Sequence, residues 1–238
     1  MRLEAIQSDV ADGLAFTLAV ERRYWTLLGA NAAVEPPLGG KLLYAGAMDG
    51  AGRVLMAAGN IAGAASLGAT ADPNAGKQAV RDGVADFLVN SLDEGLRILK
   101  NEVRKQETVA VCIAGDPAAV EAEMRERGVA PDLVAPEVDL ELPPGLAIVS
   151  WRIAAAPAQW LPMVDAIALE CVEKAGGAGS ARRWLRQAPR YLGRMAQGVR
   201  VLRCELDFAN EFVARVRRDV ASGEIGAEVE IGLAGPTQ

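Results

Sequence analysis

Apolar residues at the start of the chain recur every three or four positions, the spacing of one face of a helix. They are Leu3, Ile6, Val10, Leu14 and Leu18. This pattern predicts an amphipathic N-terminal helix within segment 1–34, ending near Gly29. Two prolines and two glycines in the run 35–40 predict a loop, because neither residue type favours a regular element.

From Lys41 onward, short apolar runs alternate with helical patterns. The runs predict strands at 42–45, 54–58, 87–89, 109–114, 133–135 and 147–151. Helices are predicted over 93–106, after Ser91 as N-cap, and over 118–127, before Gly128. Alternating strands and helices imply parallel pairing. Segment 41–153 is therefore predicted to be an α/β domain, a Rossmann-like parallel sheet with helices on both faces.

Helical spacing replaces the strand pattern after Pro157. Apolar positions predict helices over 160–171, 180–196 and 206–220. We expect a C-terminal helical subdomain over 157–222, followed by a tail over 223–238 that frays.

Composition narrows the chemistry that this chain can perform. The 238 residues are 51% hydrophobic and 24% charged, as in a soluble globular protein. There is no histidine, which excludes imidazole catalysis and imidazole metal ligands. The three cysteines are far apart in sequence, so we expect neither a metal site nor a disulfide framework.

Net charge and hydropathy indicate which binding partners and which cellular compartment to expect for this chain. A net charge of −6 argues against general nucleic-acid binding, which depends on neutralising phosphates. Neither an apolar signal segment nor a membrane span is recognisable, so we expect no membrane contact and a cytoplasmic location.

Small or polar residues follow several predicted strands, where open α/β sheets bind their ligands. They are Gly59, Asn60, Gly63, Asp72, Gly115 and Asp116. Glycine allows the backbone to approach a pyrophosphate, whose charge then meets free amides at a helix N-terminus. These six residues are the predicted cofactor-binding residues.

Each of these segments also has a purely structural interpretation. Eight residues separate Gly63 from Asp72, whereas a dinucleotide unit needs about 20, and this favours a compact turn. Asp72 before Pro73 is a common turn start. Asp116 before Pro117 is typical of a helix N-cap followed by a first-turn proline.

Three blocks stand out in the middle of the chain. They are 53–59 (RVLMAAG), 71–73 (ADP) with 89–96 (VNSLDEGL), and 109–116 (VAVCIAGD) with 127–134 (RGVAPDLV). Together, over about residues 52–145, they resemble the central Rossmann-like domain of urocanase (urocanate hydratase). The resemblance implies that fold, and a tightly bound NAD that acts as an electrophile in a lyase reaction.

The chain departs from the family pattern at positions that the resemblance assigns to the cofactor. Thr70 stands where the family has an acidic residue that contacts the ribose, and Asp116 replaces an asparagine. Segment 135–143 carries carboxylates in place of the polar stretch that holds the nicotinamide. The family's catalytic cysteine motif has no counterpart. These departures predict that NAD has been lost, and no residue is assigned a catalytic role.

A second candidate surface is basic. Arg183, Arg186, Arg190 and Arg194 form a stripe on one face of the predicted helix 180–196. Guanidinium groups bind carboxylates and phosphates. The stripe is interpreted as an anion site, as a contact with the acidic segment 121–141 within the chain or across a dimer, or as a solvated face.

Three functions stay open from the sequence. The first is a diverged, shortened urocanase-like protein that binds a nucleotide-like or small anionic ligand without hydratase activity. The second is a lyase of the urocanate hydratase type with bound NAD. The third is a non-catalytic interaction module, a homo-oligomer that associates through its helices.

Overall fold

The computed structural model describes residues 2–29, 35–134, 145–175, 179–196 and 198–235. Residue contacts divide the chain into two compact units. The parallel-sheet unit comprises residues 22–140 and 190–193, and the antiparallel-sheet unit comprises residues 1–21, 141–189 and 194–238. The first helix, α1 (Arg2–Leu28), contributes residues to both units.

The parallel-sheet unit alternates strands with helices. Its elements are β1 (Leu42–Ala47), α2 (Gly50–Ala62), β2 (Ala65–Thr70), α3 (Pro73–Arg81), β3 (Phe87–Val89), α4 (Leu92–Lys105), β4 (Val109–Ala114), α5 (Pro117–Glu126) and β5 (Leu133–Val134). The strand order is β3-β4-β2-β1-β5, and every pairing is parallel. The predicted Rossmann-like α/β fold is confirmed.

The two central strands explain why this sheet is parallel and covered by helices. In β2 and in β4 all residues but the last are buried, so neither strand has a solvent-facing side. Both consist mainly of small and aliphatic side chains, as expected where helices cover both faces. The core around them contains Leu67, Leu99 and Val111.

One predicted strand in this unit is wrong. Residues 54–58 lie within helix α2, and the second strand is instead β2, which the sequence analysis did not predict. A short apolar run does not distinguish a buried helix from a buried strand, and α2 is buried at every residue of 55–62. The sequence of β2, ASLGAT, contains few residues that favour strands.

The antiparallel-sheet unit combines three strands with helices. Its elements after α1 are β6 (Ala147–Arg152), α6 (Pro157–Lys174), α7 (Gly179–Leu192), a 3-10 helix (Gly193–Ala196), β7 (Val199–Cys204), α8 (Leu206–Ser222) and β8 (Glu230–Ala234). The sheet order is β7-β6-β8, with antiparallel pairing. By residue contacts, the last residues of α7 belong to the other unit.

The three helices predicted after Pro157 are confirmed, but the expectation that strands end there is wrong. Strand β7 follows the 3-10 helix, and β8 lies in the tail that was expected to fray. Strand β7 was not predicted because its sequence, VRVLRC, contains two arginines, and charged residues are seldom found in buried strands.

Arg203 of β7 can be buried in the antiparallel-sheet unit because Glu21 of α1 neutralises its charge. The Arg203 Nε and Nη2 atoms donate hydrogen bonds of 2.9 Å to the two Glu21 carboxylate oxygens. The side chains are 4% and 1% exposed. Removing one partner of such a pair leaves an uncompensated buried charge.

We predict that Glu21→Gln lowers the free energy of unfolding by about 3–5 kcal/mol, because the Arg203 charge stays buried without its counter-charge. Chemical denaturation of the two proteins measures the difference. The control is Glu121→Gln, which removes the exposed partner of Arg125 and is expected to cost less than about 1 kcal/mol. Equal costs for the two variants would contradict the prediction.

Candidate functional site

The parallel strands all end at one edge of their sheet, called here the carboxyl edge. The connections from β1 to β2 and from β2 to β3 step across the sheet in one direction, and the next two step in the other. Because such crossovers are right-handed, helices α2 and α3 lie on one face and α4 and α5 on the other. The reversal falls between β2 and β4, the position where open α/β sheets bind ligands.

Asp72 and Gly115-Asp116 lie at this reversal point. The Gly115 amide donates a 2.9 Å hydrogen bond to the carbonyl oxygen of Thr70, and this bond joins the ends of β2 and β4. The structure thus brings these predicted site residues together. The carboxylates of Asp72 and Asp116 are exposed, and each caps the helix that follows it.

Gly59, Asn60 and Gly63 do not lie at the carboxyl edge, which corrects the sequence analysis. Gly59 and Asn60 are buried in α2, and Gly63 is its C-cap, with φ of 102°, just before β2 begins. The Asn60 side-chain amide donates a 3.2 Å hydrogen bond to the Val84 carbonyl. These residues lie at the opposite end of the β2 strand from Asp72. The error follows from the strand wrongly predicted at 54–58.

The glycine-containing turn at the carboxyl edge connects β1 to α2, over residues 46–52. The sequence analysis missed it, although Gly46, Gly50 and Gly52 follow a predicted strand there. An added Cβ at Gly52 would lie 1.9 Å from the Ala47 carbonyl oxygen, so only glycine allows α2 to start this close to β1. Close helix–strand packing of this kind is a recognised role of glycine in dinucleotide-binding units.

Four helix N-termini meet the carboxyl edge, and each is capped by a side chain of this protein. The Asp49 carboxylate accepts a 2.9 Å hydrogen bond from the Gly52 amide. Asp72 accepts one of 2.8 Å from Asn74, and Asp116 one of 2.9 Å from Ala119.

At the fourth helix, the Ser91 hydroxyl accepts from the Glu94 amide at 3.3 Å, and the Glu94 carboxylate accepts from the Asn90 amide at 2.9 Å. This reciprocal arrangement is a capping box. The N-termini that attract anions in other α/β proteins therefore contact internal acceptors here.

Comparison with protein families agrees with this geometry. Residues 23–140 match the family model described as the urocanase Rossmann-like domain. The matched stretch is similar to that domain and is called here the urocanase-type domain. The match confirms the resemblance noted over about residues 52–145 and extends it to β1 and the turn 46–52. The urocanase-type domain therefore includes the glycine turn that the sequence analysis had placed one element too late.

A cavity of about 180 Å³ lies beside the turn of the urocanase-type domain. The Arg23 side chain and Asp49 line it, with Leu55 and small residues of β1 and α2. Sites for drug-sized ligands usually have a volume of about 300–1,000 Å³. This cavity is therefore smaller than a site that encloses a dinucleotide.

The cysteines of this chain are poor nucleophiles. Burial raises the pKa of the Cys112 thiol to about 11 and that of Cys204 to about 12. Burial, and next the charge of Glu211, raises the pKa of Cys171. Because the thiolate is the reactive species, all three thiols are protonated and unreactive near neutral pH.

Tyr44 of the urocanase-type domain is the phenol nearest the start of α5. Its hydroxyl donates a 3.1 Å hydrogen bond to the Pro117 carbonyl. Burial, and next the charges of Glu121 and Asp116, raise the pKa of Tyr44. The phenol is therefore protonated at neutral pH and is unsuited to act as a base.

Within the part of the chain that the structure describes, no cluster of three His, Cys, Asp or Glu side chains has the arrangement of a metal site. No helix of the same part is long and apolar enough to cross a membrane.

Three arginines of the stripe lie on α7, and the fourth, Arg194, lies in the 3-10 helix after it, because α7 ends before the predicted helix 180–196 does. The stripe pairs in part with carboxylates of the same chain. Arg186 lies 3.6 Å from Glu173, and Arg190 lies 3.5 Å from Asp86. Trp184, Leu185 and Leu192 are buried, as expected for the helix face opposite the stripe.

The described residues of the acidic segment 121–141 pair elsewhere. Glu121 contacts Arg125, Glu123 contacts Arg127, and Asp132 contacts Lys41. The pairing of the stripe with this segment within the chain is therefore not seen among the described residues. Arg194, the last residue of the stripe, is exposed.

We predict that Gly52→Ala destabilises the protein by about 1–3 kcal/mol or more, because the added Cβ overlaps the Ala47 carbonyl oxygen. Gly50→Ala is the matched control, since an added Cβ there meets no atom within 4 Å. Replacing glycine at the start of a helix should stabilise by up to about 1 kcal/mol. Thermal unfolding separates the two variants, and equal melting temperatures would refute the tight contact.

Proposed function

We propose that this protein is a urocanase relative without hydratase activity that no longer binds NAD. It binds instead a small ligand with one carboxylate or phosphate group in the cavity beside the turn 46–52. One observation carries the proposal: Asp49, Asp72 and Asp116 cap the helix N-termini at which a bound dinucleotide would present its diphosphate.

Coulomb's law indicates how strongly these carboxylates oppose a diphosphate. Two like charges 4 Å apart repel by about 4 kcal/mol at an effective dielectric constant of 20. Each capping carboxylate has also replaced the phosphate as acceptor of a helix amide. A diphosphate at this edge would lose those hydrogen bonds and meet negative charge, so the residues present do not fit NAD.

The cavity is lined by one positive and one negative side chain, Arg23 and Asp49, so a smaller ligand is favoured by the volume of the cavity together with the Arg23 guanidinium group. Arg23 provides a guanidinium group at its wall, and guanidinium groups bind carboxylate and phosphate in a bidentate geometry. The Asp49 carboxylate, which also lines the cavity, accepts the Gly52 amide.

The proposed lack of hydratase activity is argued from the reactive groups that the chain contains. There is no histidine, the thiols are buried or partly buried with raised pKa values, and no counterpart of the family's catalytic cysteine motif is recognisable. A general acid or base for water addition has to be positioned within hydrogen-bond reach of the substrate, with a pKa near the working pH. The three thiols and the Tyr44 phenol, whose pKa values are raised, do not meet the second condition.

We predict that purified protein releases no stoichiometric NAD on denaturation and that NAD does not raise its melting temperature. The double variant Asp49→Asn/Asp116→Asn should bind NAD at least about tenfold more tightly, because it loses two charges and keeps asparagine as a good N-cap. Calorimetric titration measures the affinity. The control is Glu107→Gln/Glu126→Gln, which removes two exposed charges next to the opposite ends of β4 and α5.

Stoichiometric NAD in the wild-type preparation, or turnover of urocanate, would overturn the proposal. The proposed binding of a small anion is tested separately, by measuring thermal shifts with a series of small carboxylates and phosphate monoesters. A ligand at about 100 times its dissociation constant should add about 2.7 kcal/mol to stability. No shift with any member of the series would exclude the small-anion site.

A further inference from the structure

Strand β8 is an exposed edge of the antiparallel sheet. It pairs with β6 on one side, and among the described residues no strand pairs with its other side. Four of its five residues are exposed, including Leu233, which is 45% exposed. Alternate residues of an edge strand direct their amide and carbonyl groups away from the sheet, so β8 offers free hydrogen-bonding groups to another strand.

The other edge strands among the described residues are shorter or more buried. Strand β3 has three residues and β5 has two, and very short edges offer little for pairing. Strand β7, at the opposite edge of the antiparallel sheet, has four buried residues out of six. Strand β8 also lacks the usual protection of an edge, since it contains neither lysine nor proline and pairs with β6 without a bulge.

The sequence of β8 favours a second copy of this chain as the partner. Antiparallel pairing about a twofold axis through Gly232 places Ile231 of one copy opposite Leu233 of the other. Glu230, the only charged residue of the strand, then lies opposite Ala234. Parallel pairing in register would instead place the two Glu230 carboxylates opposite each other, and like charges in that position are destabilising.

A cavity of about 190 Å³ lies beside β8. Four of its six lining residues are valine or isoleucine. The six are Val216, Arg217, Val220, Glu228, Val229 and Ile231.

This cavity is on the face of the sheet that α8 covers. Ile231 pairs with Trp151 of β6, and the Trp151 ring lies 4.9 Å from that of Phe212 in α8, measured between centroids. In the antiparallel pair, Leu233 of the second copy lies next to Ile231 on the same face. An exposed leucine of each copy is therefore placed beside an apolar cavity of the other.

We propose that this protein forms a dimer in which two β8 strands pair antiparallel and continue one sheet across both copies. The dimer provides partners for the outward amide and carbonyl groups of each strand, and it buries Leu233 against the cavity of the other copy. The contact is small, so the dimer is weak and depends on concentration. The proposal is independent of the carboxyl edge, because β8 and α8 belong to the antiparallel-sheet unit.

The first test measures the mass of the full chain by sedimentation equilibrium, up to about 1 mM. At that concentration a dimer with a dissociation constant of about 100 µM is largely formed. The wild type should approach twice the mass of one chain. In Leu233→Lys the dissociation constant of the dimer should rise at least about tenfold, because a lysine on an edge strand opposes pairing. Its position is exposed, so the variant is expected to fold.

The matched control is Leu206→Lys, which makes the same change at the first residue of α8. Leu206 is 41% exposed, close to the value for Leu233, so the two variants differ in place and not in kind. Leu206→Lys should associate as the wild type does. Thermal unfolding of both variants checks that each is folded.

The second test examines the register. Opposite residues of an antiparallel pair have Cα atoms about 4.5–5.5 Å apart, within the range of a disulfide. Mild oxidation of an equal mixture of Ile231→Cys and Leu233→Cys should therefore yield a cross-linked dimer of the two variants. Neither variant alone should cross-link, because each new thiol lies two residues out of register with its copy. The wild type, oxidised in the same way, shows any cross-link through the native cysteines.

Three results would overturn the proposal. The first is a wild type that stays monomeric at about 1 mM, which would leave the edge of β8 to a partner other than a second copy. The second is equal association of Leu233→Lys and Leu206→Lys. The third is cross-linking of each cysteine variant alone as readily as of the mixture. Binding or loss of NAD at the carboxyl edge affects none of these results.

Discussion

The close approach of helix α2 to strand β1 determines what the parallel sheet can do at its carboxyl edge. The approach requires a residue without a side chain at Gly52, directly against the Ala47 carbonyl. It fixes the turn 46–52 and brings the start of α2 to the point where β1 ends. Asp49 then lies within reach of the Gly52 amide, and the carboxylate occupies the position that an anionic ligand would take in a related fold.

Aspartate side chains cap three of the four helix starts at this edge, and Ser91 caps the fourth. Asp is among the best N-cap residues, and each cap contributes about 1 kcal/mol to stability. A sheet edge whose amides are satisfied in this way is stable without a cofactor. This stability is what the proposed loss of NAD would require of the sheet edge. This account depends on contacts within single loops, at Asp49, Asp72 and Asp116, and not on any long-range rearrangement.

The sequence was sufficient to predict the fold of the parallel-sheet unit, but it did not predict the position of the glycine turn in that unit. Strands β1, β3 and β4 were predictable because each is a short apolar run bounded by turn residues. The helix α2 was not, because the residues Val54–Ala58 are apolar on every side and give no periodic signal. That one error moved the predicted loop to Gly59 and Gly63. Asp116 was correctly interpreted as a cap, since a following proline marks the first helical turn.

The antiparallel-sheet unit was less predictable because its strands depend on distant partners. Strand β7 contains Arg203, whose charge is tolerated only because Glu21 lies against it. A pairing across so much of the chain leaves no local pattern in the sequence.

The bond between Glu21 and Arg203 also has a consequence for synthesis on the ribosome. All five strands of the parallel sheet have been translated once Val134 is added, so that layer can assemble early. The carboxylate at position 21 meets its guanidinium partner only after the nascent polypeptide has reached position 203. The part of this unit that contains α1 therefore completes its core only after the strands of the parallel sheet have been synthesised.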